Sequence, residues 1–248
     1  MLVLLPPSET KAPGGDGPPL DLAALSAPEL TPVRTEIIET LGRLAGDVPA
    51  SRAALGLSPK QDDEIARNAE LWTSPTRPAL ERYTGVLYDA LDVGSLTRAQ
   101  RARAGRRLAV GSALFGLVRA DDPIPAYRLS AGSTLPGLPT LRALWKPALS
   151  PVLAGIGELV VDLRSGSYAA LAPVPGAVTL DVLSERPDGT RSVVSHFNKV
   201  HKGRLARLLA TTTAEPDGPV RLRSLLRRAG LHVEHGGGTA LTLVVPAH

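Results

Sequence analysis

MLVLLPPSETKAPGGDGPPL, residues 1–20, is the stretch from which the fold is read. Five apolar residues form a run typical of a strand buried on both faces, and the prolines at 6 and 7, which cannot donate to a ladder, end it. Ser8, Glu9, Thr10 and Lys11 follow in a row before a loop rich in glycine and proline. A strand that ends in a polar, glycine-rich loop is a common place for an α/β protein to build a site, although many strands simply stop there.

Working outward, apolar runs rich in Val, Leu and Ile predict further strands at 158–163, 177–183, 191–197 and 240–245. Asp188-Gly189 is a good hairpin turn, so the strands at 177–183 and 191–197 are expected to pair antiparallel. Helical spacing covers about 29–45, 62–72, 77–92, 97–118, 138–156, 202–212 and 219–229. Asp62 and Thr97 are candidate N-caps, and Gly230 is a candidate residue just past the last helix. The expected fold class is α+β, one compact domain over 1–248. Its sheet pairs the N-terminal strand with the C-terminal half around a mostly helical insertion from about 29 to 156. The loops at 12–19 and 131–139 are too short to be domain linkers.

A chain of 248 residues, 43% hydrophobic and 21% charged, has the balance of a folded globular protein. The absence of cysteine excludes disulfides, thiolate zinc sites and thiol catalysis. MLVLL has no basic leader and is too short for a signal sequence, and no apolar run approaches a membrane span, so a cytoplasmic protein without membrane contact is expected. Only five of the 28 basic residues are lysine. Arginine forks suit phosphate and carboxylate, but an Ala-, Arg-, Gly- and Pro-rich chain also reflects a GC-rich genome.

Metal binding has little behind it. His232 and His235 in HVEH have no third ligand nearby, and the GGG that follows precedes a strand rather than a helix. No G-x-S-x-G elbow is present. Four segments carry other chemistry. DLRSGSYAAL leaves a strand and turns through small polar residues into a short helix, a geometry that suits an anion and equally a plain turn. SHFNKVHKGRLARLL places Lys199, Lys202, Arg204 and Arg207 at a helix start, where cations oppose the macrodipole unless an anion offsets them. Arg98, Arg101, Arg103, Arg106 and Arg107 form a basic surface suited to tracking a polyanion. In GLVRADDPIPAYRLSAG, Gly116 is read as a glycine hairpin between helices that aims backbone amides at a phosphate, or as only a tight turn.

LLPPSETK, ERYTGVLYDALD, RRLAVGSALFGLVRADDPIPAYRLSAG, ELVVDLRSGSYAAL and VVSHFNKVHKGRLARLL, in this order, resemble the YaaA family of bacterial peroxide stress resistance proteins from about residue 1 to 245. The resemblance implies a mixed sheet surrounded by helices, with a helix-hairpin-helix-like element beside a basic cleft. It also implies double-stranded DNA binding of weak sequence specificity, and a role in limiting oxidative DNA damage by keeping unincorporated iron low; it brings no metal site or cofactor. Carried over residue by residue, the cleft positions are Ser8, Thr10, Tyr83, Thr84, Gly85, Arg119, Tyr127, Arg128, Ser165, Tyr168, Lys199, Lys202 and Arg207. Of these, Arg119, Arg128, Lys199, Lys202 and Arg207 are expected to hold phosphates and Tyr83 or Tyr127 to stack on a base. The chain departs from the family pattern where S-P-A-K-T is replaced by Pro6-Pro7-Ser8-Glu9-Thr10-Lys11, displacing the lysine by two positions. Glu9 as acid/base with Lys11 as amine nucleophile is therefore the alternative, an enzyme acting on a nucleotide, a damaged base or a small phosphorylated metabolite.

Overall fold

The computed structural model describes residues 1–193 and 198–247. Its main sheet is built around β1 (Leu2–Leu5), which is buried along its whole length and has parallel neighbours on both sides. On one side lies β3 (Leu108–Ser112), on the other β6 (Val160–Asp162). From β6 the sheet continues through β7 (Val178–Glu185) to β10 (Ala240–Pro246), again in parallel. The edges are antiparallel: β4 (Gly116–Arg119) on β3, and β9 (His232–Gly237) on β10. The short β8 (Arg191–Val193) pairs antiparallel with the end of β7 across the Asp188-Gly189 turn, as expected. Residues 194–197 of the expected strand lie outside the described residues. A two-stranded ribbon joins β2 (Arg77–Pro78) to β5 (Pro123–Ile124).

Helices surround this sheet: α1 (Thr31–Leu44), α2 (Val48–Leu55), α3 (Asp62–Ala69), α4 (Ala79–Arg82), α5 (Val86–Leu91), α6 (Arg98–Arg107), α7 (Leu141–Ala154), α8 (Gly166–Ala169), α9 (Asn198–Thr211) and α10 (Pro219–Arg228). The α+β class holds. Among the described residues, no helix is long and apolar enough to cross a membrane. Thr97 caps α6 in a capping box with Gln100, and Gly230 follows the end of α10 at φ +84°. Asp62 is the first residue of α3 rather than its cap.

The largest correction concerns 97–118. The helix stops at Arg107, and LAVGSALFGLVR is the β3–β4 hairpin, with Ser112 paired to Gly116. Every residue of β3 is buried, and a short apolar run buried on both faces has no period that separates strand from helix. The turn is fixed by Ser112 Oγ, which accepts from the amides of Leu114 (3.2 Å) and Phe115 (3.0 Å). Gly116 therefore opens an edge strand under the Trp145 ring and does not form a hairpin between two helices. The insertion at 29–156 is correspondingly less helical than expected, since it supplies two strands of the main sheet.

Besides the β2–β5 ribbon, α2 and β9 are elements that the sequence reading does not contain. α2 has its signals in place, Asp47 accepting from the Ala50 amide and Gly56 in the left-handed region beyond the end. The polar tail HVEHGG is strand β9, where a three-residue spacing sends His232 and His235 to opposite faces, which removes the paired-ligand reading.

Candidate functional site

In open sheets, ligands collect outside the carboxyl ends of parallel strands, where neighbouring connections leave in opposite directions. β1 and β6 form such a point: the chain leaving β1 returns as β3 on one side, while the chain leaving β6 continues to β7 on the other. A cavity of about 580 Å³ lies there. The loop after β1 contributes Pro6 through Thr10, and the loop after β6 contributes Leu163, Ser165, Ser167 and Tyr168. The start of α5 adds Thr84 through Tyr88, and the first turns of α9 add Asn198, Lys199 and Lys202.

A break in the expected 77–92 helix positions the third wall. After α4 the chain is extended at Tyr83, which bridges to Lys11. The Thr84 amide donates to Thr10 O (3.2 Å), and the Ala12 amide to Arg82 O (2.8 Å). Gly85 then turns at φ +96° to start α5, a conformation that disfavours other residues, and its Cα faces the hydroxyls of Thr10 and Ser8. Those hydroxyls are 3.2 Å apart, and Thr10 Oγ1 donates to Thr84 O at 3.3 Å. α9 is held against α5 at Gly203, where an added Cβ would collide with Leu87 O and come within 2.7 Å of Ala90 Cβ.

Among the described residues, the cavity's only carboxylate, Glu9, is paired with Arg128 at 3.2 Å. Arg128 is otherwise fastened by its backbone to the Asn68 amide group, and its buried Nε has no partner. Lys202 is half-buried and donates to Leu163 O (3.1 Å), and burial lowers its pKa. Lys199 is exposed. Tyr88 donates to Pro6 O (2.8 Å). Burial, with the Glu9 charge second, raises the pKa of Tyr168.

Lys11 lies behind the wall rather than in it. Its side chain is buried, with Nζ donating to Ser8 O (2.9 Å) and Glu9 O (3.4 Å) and standing 4.1 Å from the centroid of the Tyr127 ring. Desolvation, partly offset by Glu9, brings its pKa down to about 7. Beneath it Tyr83 and Tyr127 join hydroxyls at 2.8 Å, and Tyr127 joins Ser112 at 2.8 Å. With both Ser112 lone pairs taken by amides, its proton goes to Tyr127 and that of Tyr127 to Tyr83. Burial raises Tyr83 to about 12.

Ser8, Glu9, Thr10, Thr84, Gly85, Ser165, Tyr168, Lys199 and Lys202 are therefore brought together. Tyr83 and Tyr127 are not available for stacking, being 2% and 1% exposed. Arg119 donates to Arg106 O on the sheet edge, and Arg207 caps the end of α5 through Leu91 O (2.8 Å), Asp92 O (2.5 Å) and Ser95 Oγ (2.7 Å). Three of the five arginines of α6 are similarly engaged, while Arg98 and Arg106 are exposed. Arg101 pairs with Glu81 and Asp121, Arg103 donates to Thr211 O, and Arg107 to Leu209 O, Thr212 O and Glu215. Val86 and Asn198 belong to the cavity without having been singled out. For Asn198 a signal existed, an asparagine opening a helix.

The molecule is an α+β protein with a polar, lysine-bearing crevice at a switch point of its parallel strands. A sequence model described as peroxide stress protein YaaA matches residues 1–235. A UPF0246 protein of Corynebacterium efficiens is 53% identical, with 99% of this chain and 100% of the relative aligned. Another from Corynebacterium glutamicum is 49% identical over 99% and 100%, and one from Streptomyces coelicolor 50% over 94% and 92%. The chain belongs to the YaaA family of peroxide stress proteins.

Proposed function

We propose that this chain acts in the peroxide stress response by binding double-stranded DNA with weak sequence specificity across the β1–β6 crevice, limiting oxidative damage to it. The observation that carries this reading is the charge arrangement: Lys199 and Lys202 stand at the cavity, and its carboxylate Glu9 is held by Arg128. Cations at a helix start oppose the macrodipole, a cost that a bound phosphate offsets. Two cations at the crevice, Lys199 and Lys202, rather than the five expected from sequence, set the salt dependence, since Arg128 is engaged with Glu9. Two phosphate contacts give a slope near −1.8, so affinity falls about twelvefold between 50 and 200 mM salt. Fluorescence anisotropy with a labelled duplex measures this, and Lys199→Glu with Lys202→Glu should remove most of the binding. A flat salt dependence sinks the reading. The part concerning unincorporated iron rests on the family resemblance. Chelatable iron measured by electron paramagnetic resonance in peroxide-treated cells lacking the protein should rise, and an unchanged level overturns it.

One observation favours an enzyme as the second reading: the buried Lys11 amine has a pKa of about 7, in the range of an activated amine nucleophile. Such an amine adds to an aldehyde carbon of a damaged sugar or phosphorylated metabolite, and loss of water leaves an imine that borohydride reduces. A reduced adduct mapped to Lys11 supports this reading, and its absence with abasic duplex and with sugar phosphates removes it.

A further inference from the structure

We infer that the crevice receives a single nucleotide turned out of the duplex, its base entering the cavity and its phosphate remaining with Lys199 and Lys202. The inference rests on the DNA-binding reading above and adds what enters the cavity. A volume of about 580 Å³ is that of a small-molecule site, enough for one nucleotide and too little for stacked base pairs. A duplex therefore engages only the rim unless one of its residues leaves the stack.

The walls of the cavity divide into an apolar and a polar side. One side is apolar: Val86 keeps 47% of its surface exposed at the start of α5, near Pro6 and the Tyr88 ring, whose orientation is fixed by its bond to Pro6 O. This is a surface for the face of a base. The other chemistry comes as hydroxyl pairs after two different strands, Ser8 with Thr10 at 3.2 Å and Ser165 with Ser167 at 3.4 Å; the serines can donate or accept along a base edge, and Thr10, whose proton goes to Thr84 O, can accept. Asn198 adds an acceptor: its Oδ1 is buried and makes no hydrogen bond, a state that a ligand N–H relieves. An exocyclic amine, as on adenine or cytosine, supplies that donor. Lys202 spends one N–H on Leu163 O and keeps the others for a phosphate at the mouth, beside exposed Lys199.

Turning a base out costs unstacking and unpairing, least where the base is mismatched or damaged. The crevice should therefore prefer lesion-bearing DNA without any contact specific to the lesion. The same nucleotide chemistry exists in free deoxynucleotides, and the test separates the two sources. The full chain is titrated into duplexes carrying 2-aminopurine, paired or mismatched, following anisotropy for binding and 2-aminopurine emission for extrusion. Free dAMP is titrated as a competitor. Emission should rise severalfold on binding, the mismatched duplex should bind about tenfold tighter than the paired one, and Val86→Trp, which fills the cavity from an exposed position, should remove both effects. Binding with duplex-level emission and equal affinity for the two duplexes overturns extrusion while leaving DNA binding in place. No binding to any duplex overturns both readings, and tight dAMP binding without duplex binding assigns the cavity to the free nucleotide instead.

Discussion

Lys11 gives the sharpest quantitative test of the site's electrostatics. It is buried against Tyr127, its nearby carboxylate Glu9 is shared with Arg128, and its pKa falls from 10.5 to about 7 with desolvation as the largest cause. A drop of that size corresponds to about 5 kcal/mol of preference for the neutral amine in the folded protein. Between pH 7 and 10.5 the unfolded chain therefore carries more proton than the folded one, and stability rises with pH through that window. Below pH 7 both states are protonated and the penalty is constant; above 10.5 both are neutral and it is gone. From pH 7 to 8.5 the gain attributable to Lys11 is about 1.5 kcal/mol. Lys11→Met keeps the length and apolar stem while removing the titrating group. The stability of the parent relative to this variant, from urea unfolding at pH 7, 7.75 and 8.5, should increase by that amount, because all other groups titrate alike in both. An independent reading comes from the Lys11 13Cε chemical shift, which should titrate near pH 7. A pH-independent difference between the two proteins, or a Lys11 resonance that stays protonated to pH 9, refutes the argument. It would mean that the two carbonyl acceptors and the Tyr127 face hold the charge despite burial.

Two substitutions separate scaffold from site. Gly203→Ala places a Cβ against Leu87 O and Ala90 and should cost about 1–3 kcal/mol in denaturant unfolding while pushing α9 from α5 and weakening duplex binding; unchanged stability shows that the helices can part freely. Arg207→Ala removes the cap of α5 and should lower stability by about 1–2 kcal/mol, with duplex affinity at fixed salt within twofold of the parent; a loss comparable to Lys199→Glu restores Arg207 to the DNA-binding surface.

What the sequence makes legible is what depends on neighbouring residues. The strand Leu2–Leu5 ends at its prolines, the β7–β8 hairpin turns at Asp188-Gly189, and the Thr97 capping box opens α6, each determined by chemistry within a few positions. β3 was hidden because its identity depends on burial on both faces, a property of the sheet rather than of LAVGS. β9 was hidden because its partner β10 lies beyond the glycines and supplies the pairing that its polar side chains do not advertise.

The site follows the same division, with a consequence for how its cations are to be read. Hydroxyls and lysines at the ends of β1 and β6 and the start of α9 could be nominated in advance, because strand ends and helix starts are visible in sequence. Which arginines face a ligand could not be, since an arginine's role is set by carbonyls far along the chain. Arg107 serves Leu209 and Thr212, and Arg207 serves Leu91 and Asp92, contacts across roughly a hundred residues. Fork-shaped donors with five N–H groups are well suited to gathering such carbonyls. In this arginine-rich chain several of them hold elements in place, while the crevice is served by two of the five lysines. A compact ammonium on a flexible stem can spend one N–H on a carbonyl, as Lys202 does with Leu163, and still turn the rest to a phosphate. The positions of Lys199 and Lys202 therefore carry more information about ligand than the basic composition does, and charge reversal there, not on α6, is where binding should be lost.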